Sequence, residues 1–119
     1  MSTPPDRLDA LRESLARFVA ERDWDVFHTP KNLAMALTAE AGELLEHFMW
    51  LTPEQSRSLP GETHAEVELE IADVFLFLLR LCDKLGVDPI AAAEKKLVLN
   101  AHKYPVEKSK GRATKYDKL

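Results

Sequence analysis

One cysteine, four glycines and a net charge of only −4 set the first limits on this chain of 119 residues. With Cys82 alone no internal disulfide forms, so a reducing compartment is expected. Its place beside Leu81 in an apolar run marks a core thiol rather than a nucleophile. None of the four glycines belongs to a Gly-x-x-x-x-Gly-Lys phosphate loop, and Gly42-Glu43 is not continued by the Arg-Glu-x-x-Glu-Glu of a Nudix helix. The longest uncharged apolar run, Val74 to Leu79, is far short of the roughly 20 residues that cross a bilayer. The polar start Met1-Ser-Thr-Pro-Pro-Asp6 lacks a signal-peptide apolar region. A soluble, cytoplasmic protein with no membrane partner is therefore expected. The four histidines (His28, His47, His64, His102) show no zinc spacing, and no Glu has a His three residues on, as a di-iron bundle would require.

The charge that is present is uneven. From Ala101 to the end, six Lys and Arg stand against Glu107 and Asp117, so the last 19 residues carry +4 and the first hundred −8. An acidic body argues against nucleic acid as a partner. The basic stretch 106–119 reads as a C-terminal tail, either solvated or holding phosphates at the mouth of a site.

No run alternates with period 2 between turn signals, so no strand is expected. Helical signals are frequent. Ser2 and Thr3 precede Pro4-Pro5, and Leu8, Leu11, Leu15, Phe18 and Val19 recur at helical spacing up to about Glu21–Asp23. Thr29-Pro30 opens a second helix, expected to run to about Trp50. Thr52-Pro-Glu-Gln55 has the form of a capping box and Ser58-Leu-Pro-Gly61 breaks the chain. Thr63 is the expected cap of a long helix ending at Leu85 with Gly86 just beyond. Asp88-Pro89 opens a last helix to about Lys103, stopped by Tyr104-Pro105. Four main helices in one domain make an all-α protein, a four-helix bundle. The third is apolar nearly all round from Leu69 to Leu79, which suits the centre of a bundle or a contact between subunits.

Two words concentrate the chemistry: Glu40-Ala-Gly-Glu43 and Glu70-Ile-Ala-Asp73. Each sets two carboxylates three residues apart, on one face of a helix. Glu46, Glu66 and Glu68 read as a solvated face. Asp73 does not, because Ile71-Ala72 and Val74-Phe75-Leu76-Phe77 enclose it and an ionised group there needs compensation. Arg80, seven residues on, is too far for a direct i+4 pair. Antiparallel packing of the two helices would gather four carboxylates into a hard oxygen site suited to Mg²⁺. Gly42 costs its helix roughly 1 kcal/mol relative to Ala, which the close approach of a helix or ligand would offset.

These residues, with Glu21-Arg-Asp-Trp-Asp-Val-Phe-His-Thr-Pro-Lys-Asn-Leu33, Phe48-Met-Trp50, Lys96-Leu-Val-Leu-Asn100 and Lys103-Tyr-Pro105, resemble the MazG-like all-α nucleotide pyrophosphohydrolases, most closely the dCTP pyrophosphatase branch. The resemblance spans about Leu8 to Leu119. It implies Mg²⁺-dependent hydrolysis of a nucleoside triphosphate to a monophosphate and pyrophosphate. Glu40, Glu43, Glu70 and Asp73 would be the metal ligands and catalytic groups, with the nucleophile a carboxylate or a water on the ion. Trp24, His28 and Trp50 match the nucleobase pocket, and Lys96 and Asn100 look like phosphate and sugar contacts. Relatives of this branch assemble as tetramers with sites between subunits, so a homo-oligomer is implied, a tetramer or a dimer. Two positions depart from the pattern: Leu15 stands where animal members carry His, and Phe77 where they carry Tyr. Both belong to the substrate pocket in those relatives, so the departures bear on base selectivity rather than metal chemistry. The same chemistry on dUTP or damaged purine triphosphates stays open, as does a catalytically silent helical module that works by oligomerising.

Overall fold

Helix α1 begins where the Asp6 carboxylate accepts the Leu8 amide (2.9 Å) and runs over Arg7–Glu21. This computed structural model describes residues 6–119, so the helix start expected at Ser2–Pro5 lies outside them. All regular elements among the described residues are helical: α2 is Pro30–Glu46, α3 Pro53–Ser56, α4 Gly61–Leu85, α5 Pro89–Lys103 and α6 Val106–Ser109, with short 3-10 turns at Asp25–Phe27 and Tyr116–Lys118.

Most boundaries follow from local chemistry. Thr29 accepts the Asn32 amide ahead of Pro30, and Asp88 accepts the Ile90 and Ala91 amides ahead of Pro89. Around α3 both halves of the capping box form, Thr52 with the Gln55 amide and Gln55 with the Thr52 amide. Gly86 closes α4 at φ 66°, a left-handed conformation that glycine adopts without steric cost.

Two boundaries correct the sequence reading. Helix α2 stops at Glu46 rather than near Trp50, because the chain tightens there. The Phe48 amide donates to Leu45 and the Leu51 amide to Phe48 (2.9 Å each), bonds that reach back three residues instead of four. Helix α4 is capped not by Thr63 but by Pro60. Its ring holds φ at −55° and its carbonyl accepts the His64 amide at 2.8 Å, which leaves Thr63 inside the first turn.

The chain divides into two compact units, Met1–Gly86 and Val87–Leu119. In the first, α2 packs along α4 and α1 packs against α4. Its core is small: among the described residues, Val19, Leu33, Val67, Leu79 and Cys82 are the buried apolar ones. A salt bridge from Arg12 on α1 to Asp83 on α4 (2.5 Å) ties the two helices outside that core. Much apolar surface stays uncovered. On α4, Leu69, Ile71, Phe75 and Leu78 are exposed although that helix is apolar nearly all round. A Cβ built on Gly42 would meet nothing within 4 Å. The close approach expected to offset that glycine is therefore absent within the described residues. In the second unit the tail turns back on α5: Tyr104 and Tyr116 meet edge to face at 6.0 Å, and the Lys103 ammonium lies 4.8 Å from the Tyr116 ring centre.

Candidate active site

The packing of α2 along α4 brings Glu40, Glu43 and Glu70 together, with carboxylate oxygens within 4.8 Å of one another. The i, i+3 spacing on α2 supplies two of them and α4 the third. Oε2 of Glu40 and Oε2 of Glu70 are buried and accept no hydrogen bond. Such orphaned acceptors beside like charges are unfavourable unless a proton or a cation compensates them. The Glu40 carboxyl is accordingly raised from 4.5 to about 7. Burial is the largest cause, followed by the neighbouring carboxylates of Glu43, Asp73 and Glu70. Three clustered oxygen donors with two unsatisfied atoms fit a hard divalent cation.

Asp73 stands outside the cluster of three. Its side chain is one methylene shorter than that of Glu, and it is exposed at the edge of a neighbouring cavity. That cavity, about 310 Å³, is lined by Leu15, Phe18 and Val19 of α1, Trp24, His28, and Asp73, Leu76, Phe77 and Arg80 of α4. The volume falls at the lower end of small-ligand pockets. Residues 73, 76, 77 and 80 share one helical face, so α4 forms a continuous wall.

The segment between α1 and α2 sets the opposite side. Asp23 adopts φ 53°, a left-handed conformation that Asp tolerates better than most residues. The Trp24 amide then donates back to Val19 (3.1 Å) and its ring meets Phe18 edge to face at 5.6 Å. The Asn32 side chain donates to the Phe27 carbonyl (3.0 Å), which pins the turn that carries His28.

The structure thus gathers Trp24, His28, Phe77 and Leu15 at one cavity, beside the carboxylates. Trp50 is not among them: it is 85% exposed in the turn after α2 and touches no part of that cavity. Lys96, exposed, and Asn100, half-buried, lie four residues apart on α5 in the second unit. The sequence reading missed Arg80. It is buried, its Nη2 donates to Asp25 at 2.6 Å and its Nε to His28 Nδ1 at 3.3 Å, while Lys84 also donates to Asp25 at 2.5 Å. The available signal was the same one that singled out Asp73, a lone charge within an apolar run.

The raised Glu40 carboxyl has a measurable consequence. A folded-state value above the unfolded one means that its contribution to stability is full below pH 4.5 and is lost as pH rises to about 7. The melting temperature without metal should fall across that window. A divalent cation should therefore raise it more at pH 8 than at pH 5, as read by thermal melts with and without Mg²⁺. An equal shift at both pH values would remove Glu40 from the cation site.

An all-helical chain with an oxygen-donor cluster beside an aromatic-lined cavity defines a class of proteins that set a divalent cation next to a small-molecule pocket. The chain belongs to the MazG-like family, whose sequence profile matches residues 35–119. It is 38% identical to dCTP pyrophosphatase 1 of Mus musculus over 98% of this chain and 70% of that protein. The corresponding protein of Homo sapiens is 37% identical over the same shares. A solved pyrophosphatase from Archaeoglobus fulgidus superposes with a TM-score of 0.83 at 38% identity, covering 88% of this chain and 98% of that one.

Proposed function

We propose that this nucleotide pyrophosphohydrolase uses Mg²⁺ to split a deoxynucleoside triphosphate, dCTP or a modified dCTP, into the monophosphate and pyrophosphate. The observation that carries the reading is the double role of Asp73. It lines the aromatic cavity, and its charge is felt at Glu40 in the carboxylate cluster. Base pocket and metal cluster are therefore adjacent. From Glu70 to Arg80 is ten residues on α4, about 15 Å of rise, which spans a nucleotide from base to phosphates.

Glu40, Glu43, Glu70 and Asp73 would hold the ion, which when bound neutralises polyphosphate charge and lowers the pKa of its water. Trp24, Phe18 and Phe77 offer flat faces to the base. The bridge between the α- and β-phosphates breaks, and water supplies the oxygen to one product and a proton to the other. Lys96 and Asn100 would meet phosphate and sugar, as their match to relatives implies. Leu15 and Phe77 leave the cavity without the polar groups of animal members, which favours tolerance toward modified bases. Trp50, together with the uncovered Leu69, Ile71, Phe75 and Leu78, supports a homo-oligomer in which Trp50 serves the site of another copy. A tetramer is the favoured assembly.

A panel of canonical and modified deoxynucleoside triphosphates with Mg²⁺, resolving pyrophosphate from orthophosphate, tests the reading. Pyrophosphate released fastest from a cytosine nucleotide is expected. Preference for another base would overturn the dCTP assignment and keep the reaction, whereas no turnover on any nucleotide would overturn both.

A further inference from the structure

We propose that Arg80 is a positioning residue that locks His28 in the tautomer carrying its proton on Nε2, so that the histidine offers a hydrogen-bond donor to the cavity and selects a base through an acceptor edge. The part about the base rests on the nucleotide reading above; the tautomer does not.

A guanidinium has donors and no acceptor. The Nε–H of Arg80 points at His28 Nδ1 across 3.3 Å, so Nδ1 must present its lone pair. A neutral imidazole then has one place left for its proton, Nε2. Arg80 is well placed to impose this. Its side chain is 9% exposed, and the 2.6 Å pair with Asp25 fixes the plane of the fork. Lys84 shares the same carboxylate.

The charged form of the ring is disfavoured by the same neighbours. Protonation of Nδ1 would set an N–H against the N–H of a cation. From α4, Arg80 and Lys84 bring two positive charges; from the 3-10 turn, Asp25 brings one negative charge in opposition. His28 is held below its usual 6.5, chiefly by burial and then by Arg80. A neutral ring with a fixed proton is a more discriminating reader than one that exchanges tautomers, because it cannot satisfy a donor on the ligand. Cytosine offers acceptors at O2 and N3, which suit a donor held at Nε2 of His28 in the cavity wall.

Nitrogen-15 long-range correlation spectra of the full chain, recorded without metal or nucleotide, read the tautomer directly. In the wild-type protein the Nδ1 of His28 should show the unprotonated signature and Nε2 the protonated one, unchanged from pH 7 to 8. A proton on Nδ1, or a charged ring in that range, would overturn the proposal on the wild-type chain alone, whether or not any variant folds. In Arg80→Gln the two tautomers should mix and the ring should titrate closer to 6.5; an unchanged spectrum would overturn the role of Arg80. With the nucleotide found in the panel, KM of Arg80→Gln should rise about fivefold, more than kcat falls. A loss confined to kcat would refute the selection of the base. A wild-type chain inactive on every nucleotide would refute the base selection and the function, and leave the tautomer standing on its spectrum.

Discussion

Replacing Glu43 by Gln, or Asp73 by Asn, should abolish pyrophosphate release while the helical circular-dichroism signal persists. Each change keeps the shape of the side chain and removes one negative charge. Glu43 stands among oxygens within 4.8 Å of one another, so if they hold a cation an amide there would turn one hard ligand into a poor one and aim a donor at the ion. Charge stabilisation by a bound ion is worth several kcal/mol in phosphoryl chemistry, so the loss in kcat should be on the order of a thousandfold. Stability should move the other way. After burial, Glu43 is the leading cause that raises the Glu40 carboxyl, so without metal the Gln variant should melt at the same temperature or higher. Retained turnover would take the residue out of the metal site. Lost turnover together with lost helix would show a structural role instead. Loss of activity with gain of stability is the pattern expected of a site whose charges are gathered against their own repulsion.

The second large effect is on folding. Leu79→Ala should cost the fold about 2 to 5 kcal/mol, measured as a drop in the urea midpoint with an unchanged slope. Leu79 is 0% exposed and, with Leu33 and Val19, is among the largest fully buried side chains of the described residues. A domain of this size is stable by roughly 5 to 15 kcal/mol, so at mid-range values one truncation would remove about a third of the total. A cost under 1 kcal/mol would mean that the site collapses around the smaller residue, and that the core is looser than its burial indicates.

Cys82 illustrates what a single apolar neighbourhood is enough to reveal. The thiol in the run Leu81-Cys82 was expected in the core, and it is 7% exposed there. The caps at Thr29, Thr52 and Asp88 and the left-handed Gly86 were legible for the same reason, since each depends on residues within four positions along the chain. The two boundaries that moved also had local causes, but ones that compete. Thr63 is a good capping residue, yet Pro60 three positions earlier already holds an extended backbone and starts the helix first.

The sequence by itself determined the helical class, the punctuation of the helices and the two carboxylate pairs, because i, i+3 spacing on a helix is a short-range fact. Only the tertiary structure decided which carboxylates meet. Glu40 and Glu70 come from helices thirty residues apart, and the depth of their packing leaves two oxygens buried and Asp73 at the rim of a cavity. It also decided what Arg80 is for. Asp25 is 55 residues away and His28 is 52, and no periodicity encodes a contact across that separation. A charge in an apolar run is either buried with a partner, as Arg80 is, or turned outward, as Asp73 is, and only chain folding decides between them.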